Sequence, residues 1–157
     1  MKKELVAVLV LVAIAWFSLS QLDHHVEPWL NTVVLDGEVE AAHWVKGNPG
    51  LYLAGIFGGE LVMGIAASPS LVGGDWAANA NAPQQMSDMD EFYKTDSADR
   101  AEEIWKKYGA DYAWFPARKV YAGYGWIDTN EDKMSDPRFE IVYTNPEVRV
   151  YKLSGNG

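Results

Sequence analysis

Leu51-Tyr52-Leu53-Ala54-Gly55-Ile56-Phe57 is apolar from end to end, without the alternation of a strand that faces water on one side. Such a run is expected of a strand covered on both faces, hence central and parallel in its sheet. Gly58-Gly59 then reads as the turn into a helix over 60–67, and Ser70-Leu71-Val72-Gly73 as a short second strand. Together these form a β-α-β unit, for which a right-handed crossover is the default.

Upstream, Val39, Ala42 and His43 fall at i, i+3 and i+4, so residues 38–46 form a short helix with an acidic start suited to its dipole. Gly47-Asn48-Pro49-Gly50 ends it. Downstream, residues 73–89 and 120–138 are loose in composition, and residues 88–93 suggest a helical turn or two. Residues 97–108 give the clearest helix. Ala98, Ala101, Ile104, Trp105 and Tyr108 share one face, and Gly109 stands where a C-terminal glycine is expected. Glu102 with Lys106 and Glu103 with Lys107 are i, i+4 pairs. Residues 110–115 read as a third buried strand stopped by Pro116, and residues 139–143 and 148–153 as two strands joined around Asn145-Pro146. The expected fold is a three-layer α/β domain with a mainly parallel sheet and an antiparallel C-terminal hairpin.

At the N-terminus, Met1-Lys2-Lys3-Glu4 precedes an apolar run that reaches Leu22. From Leu5 to Leu22 it would be about 27 Å long as a helix, against a hydrocarbon core of about 30 Å. Two readings fit: a retained transmembrane helix, or a signal peptide with Ser18 and Ser20 ahead of the cleavage point. Either exports the remainder of the chain and leaves the lysines in the cytoplasm. The expected organisation is therefore 1–22 as transmembrane helix or signal peptide, 23–35 as linker and 36–157 as an extracytoplasmic domain. The expected location is the cell membrane, single-pass, or secretion.

The 22 acidic residues outnumber the 13 basic ones, for a net charge of −9, which argues against nucleic acid as a partner. Without cysteine there is no disulfide framework or thiolate metal site, so the domain rests on its hydrophobic core.

Three places could carry chemistry. Turns at the carboxyl ends of parallel strands make the natural crevice of an open sheet, here Gly58-Gly59-Glu60, Gly73-Gly74-Asp75-Trp76 and Pro116-Ala117-Arg118. Beside them Gly123-Tyr124-Gly125-Trp126 adds aromatic faces, so Glu60, Asp75, Trp76, Arg118, Tyr124 and Trp126 are the candidate ligand-binding residues. Oxygen ligands at Asp128, Asn130, Asp132 and Asp136 could wrap a hard cation such as Ca²⁺. An EF-hand is excluded, since Lys133 and Phe139 occupy the places of its glycine and glutamate. His24, His25 and His43 have no ligand spacing between them, and no Gly-x-Ser-x-Gly elbow is present. No catalytic residue is assigned.

The segments Glu40-Ala41-Ala42-His43-Trp44-Val45-Lys46, Gly59-Glu60-Leu61-Val62-Met63-Gly64, Val72-Gly73-Gly74-Asp75-Trp76, Lys106-Lys107-Tyr108-Gly109-Ala110-Asp111-Tyr112 and Asn145-Pro146-Glu147-Val148-Arg149-Val150-Tyr151 resemble the exported C-terminal domain of archaeal polytopic membrane proteins. Those proteins are similar to GT-C glycosyltransferases of the oligosaccharyltransferase and mannosyltransferase kind. The resemblance implies a membrane-anchored domain of, or accessory to, such a transferase, which binds or positions a glycan, a lipid-linked sugar or an acceptor beside other membrane helices. The chain lacks the many helices that hold the GT-C catalytic site, so no catalysis is expected from it alone. The alternative is a non-enzymatic secreted or anchored cell-envelope interaction module, stiffened by calcium.

Overall fold

A computed structural model describes residues 34–74 and 78–155, together with Val12 and Trp16. The chain divides into two compact units, Met1–Val33 and Val34–Gly157. Among the described residues no helix is long and apolar enough to cross a membrane. The described residues therefore do not supply the expected transmembrane element, and the single-pass placement and the partnership through residues 5–22 are not carried forward. The stretch itself lies outside the described residues except for Val12 and Trp16, both helical and exposed.

In the second unit, helix α1 (Asp36–Val45) leads to strand β1 (Tyr52–Leu53) and helix α2 (Ile56–Ala66). Helices α3 (Ala82–Lys94) and α4 (Ala98–Tyr108) come next, then strands β2 (Tyr112–Pro116), β3 (Val120–Tyr121) and β4 (Trp126–Ile127). A 3-10 turn at Asp132–Ser135 precedes β5 (Phe139–Thr144) and β6 (Val148–Leu153). The main sheet runs β1-β2-β6-β5, and β3 and β4 form a separate two-stranded ribbon.

The sheet is mixed, which corrects the expectation of a mainly parallel one. Only β1 and β2 pair in parallel, extended by a single parallel bridge from Tyr52 to Ser70; β2–β6 and β5–β6 are antiparallel. Alternation along β2 sends Ala113 and Phe115 to one face, where they meet Met89, Phe92, Ile104 and Trp105 of α3 and α4. Trp114 goes to the other face and packs with Ala41, Ala42 and Val45 of α1 and Val62 of α2. Helices thus cover both faces, and the three layers are present.

The apolar run at 51–57 departs most from expectation. Only Tyr52 and Leu53 are strand; the chain turns at Gly55 and is helical from Ile56. An uninterrupted apolar run fits a buried helix as well as a buried strand. Gly58 and Gly59 therefore lie inside α2, where they provide clearance: a Cβ on Gly59 would sit 2.0 Å from the Val72 carbonyl oxygen. α3 is longer than the helical turn read at 88–93, because Pro83 opens its first turn.

α4 follows its pattern closely. Ser97 caps it by accepting from the Arg100 N–H at 3.2 Å, and Gly109 ends it with φ +61°. Of the two expected helix pairs, Glu102–Lys106 forms, but Lys107 turns to Asp88 of α3 and Glu103 to Arg100. At the far side of the sheet β5 is the outer strand among the described residues, with Ile141 exposed and a register shift between Ile141 and Tyr143.

Candidate functional site

Strands β1 and β2 both end beside the first turn of α2, and there the β3–β4 ribbon folds over. A Cβ on Gly55 would stand 2.2 Å from Val120 Cγ1, so glycine lets the ribbon approach the start of α2 this closely. The Gly55 N–H donates to the Tyr93 hydroxyl at 3.0 Å, and that hydroxyl donates to the Trp114 carbonyl at 2.6 Å. One phenol thereby ties α3 to the end of β2 and the start of α2. Burial pushes the Tyr93 hydroxyl well above its ordinary pKa, only partly offset by the Gly55 N–H, so it stays a neutral donor.

Two concavities flank the ribbon. The first is a cleft of about 20 Å³ among Glu38, Phe57, Gly58, Trp114, Arg118 and Trp126. Trp126 stacks on Phe57 with centroids 5.5 Å apart and planes 11° apart, and Tyr121 meets Trp126 edge-on at 5.6 Å. Glu38 is 2% exposed and holds Arg118 through two bonds, Nε to Oε1 at 2.9 Å and a terminal nitrogen to Oε2 at 2.7 Å. Its Oε2 also accepts the Leu35 N–H at 3.0 Å, which fastens the entry to α1. Both carboxylate oxygens are therefore engaged in holding structure.

Among the described residues the indole Nε1 atoms of Trp114 and Trp126 are buried with no hydrogen-bond partner, although both residues line this cleft. A buried donor left without an acceptor costs about 1–3 kcal/mol.

The second concavity is a groove of about 580 Å³ lined by Ile56, Asn79, Ala80, Ala82, Pro83, Met86, Tyr121, Gly123 and Tyr124. Among the described residues its lining is mainly apolar and holds no Asp, Glu, His, Lys or Arg. The Tyr124 hydroxyl donates to the Pro83 carbonyl at 2.9 Å, so its ring is laid along the rim while remaining exposed. Tyr121 is common to both concavities.

Of the residues singled out from the sequence, Arg118 and Trp126 meet in the cleft and Tyr124 joins the groove beside it. Glu60 is exposed on α2 and lines neither; Asp75 and Trp76 lie outside the described residues. Glu38, Phe57, Trp114 and Met86 belong to the site without having been read as such. Only Glu38 carried a hint, as an acidic residue at a helix start that proves to reach back to the preceding N–H.

The four oxygen ligands of the proposed calcium loop are not brought together. Asp128 is exposed and faces Lys119 at 3.5 Å, while Asp136 grips Arg138 at 2.9 Å. Asn130 accepts the Asp132 N–H at 3.1 Å. Among the described residues no three His, Cys, Asp or Glu side chains form a group able to hold a metal ion. His24 and His25 lie outside the described residues, and His43 is exposed on α1.

The membrane-anchored transferase reading, with its glycan or lipid-linked sugar, is not carried forward without that helix, while the resemblance to GT-C proteins is neither supported nor refuted. No protein-family model, curated protein or solved structure matches the chain, and the cleft and groove themselves carry the functional reading.

Proposed function

We propose that the domain is a non-catalytic interaction module that takes an apolar segment of a partner protein into the groove between α3 and the β3–β4 ribbon. The observation that carries this is the groove itself, about 580 Å³ of mainly apolar wall between α3 and the β3–β4 ribbon. Among the described residues the groove's titratable side chains are the phenols of Tyr121 and Tyr124, and the Tyr124 hydroxyl is already committed to the Pro83 carbonyl. In the neighbouring cleft, the Glu38–Arg118 ion pair is engaged in joining α1 to the segment that follows β2. Tyr124 and Tyr121 supply rigid aromatic walls of the kind that anchor protein contacts.

Selection of displayed peptides on the intact protein tests this reading. Sequences rich in Leu, Phe and Met are expected, with binding weakened about tenfold or more by Tyr124→Ala, an exposed position where the fold is undisturbed. Enrichment of charged sequences, or binding indifferent to both Tyr124→Ala and Met86→Lys, would refute it.

A further inference from the structure

Three aromatic residues belong to the β3–β4 ribbon, and their rings are held in different ways. Trp126 stacks on Phe57, and Tyr121 meets both rings, with centroids 6.3 Å from Phe57 and 5.6 Å from Trp126. Tyr124, between the two strands, is 64% exposed, and among the described residues its ring packs on no other aromatic ring. What holds it is the bond from its hydroxyl to the Pro83 carbonyl at 2.9 Å, in the first turn of α3. The side chain therefore reaches from the ribbon, one wall of the groove, to α3, the other, and bridges them at the rim.

That bridge can open without moving the walls. Gly123 is pinned, since a Cβ there would stand 2.5 Å from Met86 Sδ and the backbone lies directly on the α3 side of the groove. On the other flank a Cβ on Gly125 would meet nothing within 4 Å, so the space beside the ring is open. Rotation of the Tyr124 side chain alone breaks the contact with Pro83, exposed rotamers change fast, and water replaces an exposed hydrogen bond at little net cost. We propose that Tyr124 is a strap over the groove, which swings off Pro83 to admit the partner segment and closes again across it, an inference that rests on the interaction-module reading. The bond is then present in the free and the bound domain and absent during passage, so it slows entry and release alike. The hydroxyl governs the rates, while the ring supplies contact area.

The test titrates the peptide acetyl-Ala-Leu-Phe-Met-Leu-Ala-amide into the ¹⁵N-labelled full chain and takes association and dissociation rate constants from line-shape analysis. Tyr124→Phe keeps the ring and removes the hydroxyl, and is expected to raise both rate constants by about threefold to tenfold. Tyr124→Ala removes the ring as well, and is expected to raise dissociation about tenfold or more beyond any rise in association. Rate constants in Tyr124→Phe equal to those of wild type, with Met86→Lys still weakening binding, would overturn the strap and leave the groove reading intact. Faster association without faster dissociation would also overturn it, because the ring would then stand aside in the complex. Absence of binding by the wild-type chain would remove the two readings together.

Discussion

Arg118 shows how one buried charge fixes the geometry around it. Glu38 is nearly sealed from solvent, so removing its cationic partner leaves a carboxylate that cannot be rehydrated. Arg118→Met should lower unfolding stability by about 3 kcal/mol, read by urea titration, whereas the double variant Glu38→Leu with Arg118→Met should recover most of the loss. Lys133 is the opposite case, a buried ammonium whose partners are backbone carbonyls. It donates to Tyr93 at 3.2 Å and to Asn130, above the rings of Phe92 and Phe115. Burial draws its pKa down to about 8 despite the pull of Glu131, Asp132 and Asp96. Because this lysine gives up its proton earlier in the folded chain than in the unfolded one, its contribution to stability rises with pH from about 8 toward 10. Against Lys133→Met as reference, wild type should gain on the order of 3 kcal/mol between about pH 7 and 10, measured by denaturant titration at each pH. A flat difference would show that the ammonium is not desolvated.

At the scale of the element, α2 makes two opposite predictions from one residue type. Gly59→Ala would drive a Cβ against the Val72 carbonyl, whereas a Cβ on the exposed Gly64 meets nothing within 4 Å. Gly64→Ala should stabilise the protein by about 0.5–1 kcal/mol, and Gly59→Ala should destabilise it by about 2 kcal/mol or more, both read from thermal unfolding. The same helix shows where sequence reasoning stops. Period 3.6 and a terminal glycine made α4 legible, and the turn residues Asn145-Pro146 did the same for β5 and β6. Nothing in Leu51 to Phe57 records that the chain leaves the sheet after Leu53, because that depends on β3 and Val72 arriving from elsewhere. The candidate site was legible only in part for a related reason. Aromatic residues in a glycine-rich loop mark Tyr124 and Trp126, but the acceptorless indole of Trp114 looks like any core tryptophan until its neighbours are placed.

Across the whole molecule, ionisable groups bound the stable range on both sides. Burial alone would raise the Asp88 carboxyl, but bonds from Lys107, Tyr108 and Gln84 reverse this and hold it below the usual range. Arg138 holds Asp136 down to about 2, and Glu91 and Glu102 are lowered by Arg100 and by Lys106 with Arg138. The unfolded chain therefore binds more protons than the folded one below about pH 4, and stability is lost as pH falls. Burial raises the hydroxyls of Tyr52, Tyr93 and Tyr151, so the unfolded chain ionises first above about pH 10 and stability is lost there too. Melting temperature against pH should form a broad dome that drops at both ends. Asp88→Asn should flatten the acid limb and, because the same carboxylate raises Lys107 and contributes to raising Tyr108, soften the alkaline limb as well.

The register shift at the outer strand has a consequence for crowded conditions. A β5 with unbroken pleat would offer Ile141 and its neighbours as a template on which another chain could zip. The extra residue at Val142 breaks the spacing of that ladder after Ile141. Any such pairing is thereby limited to a few residues on either side of the kink.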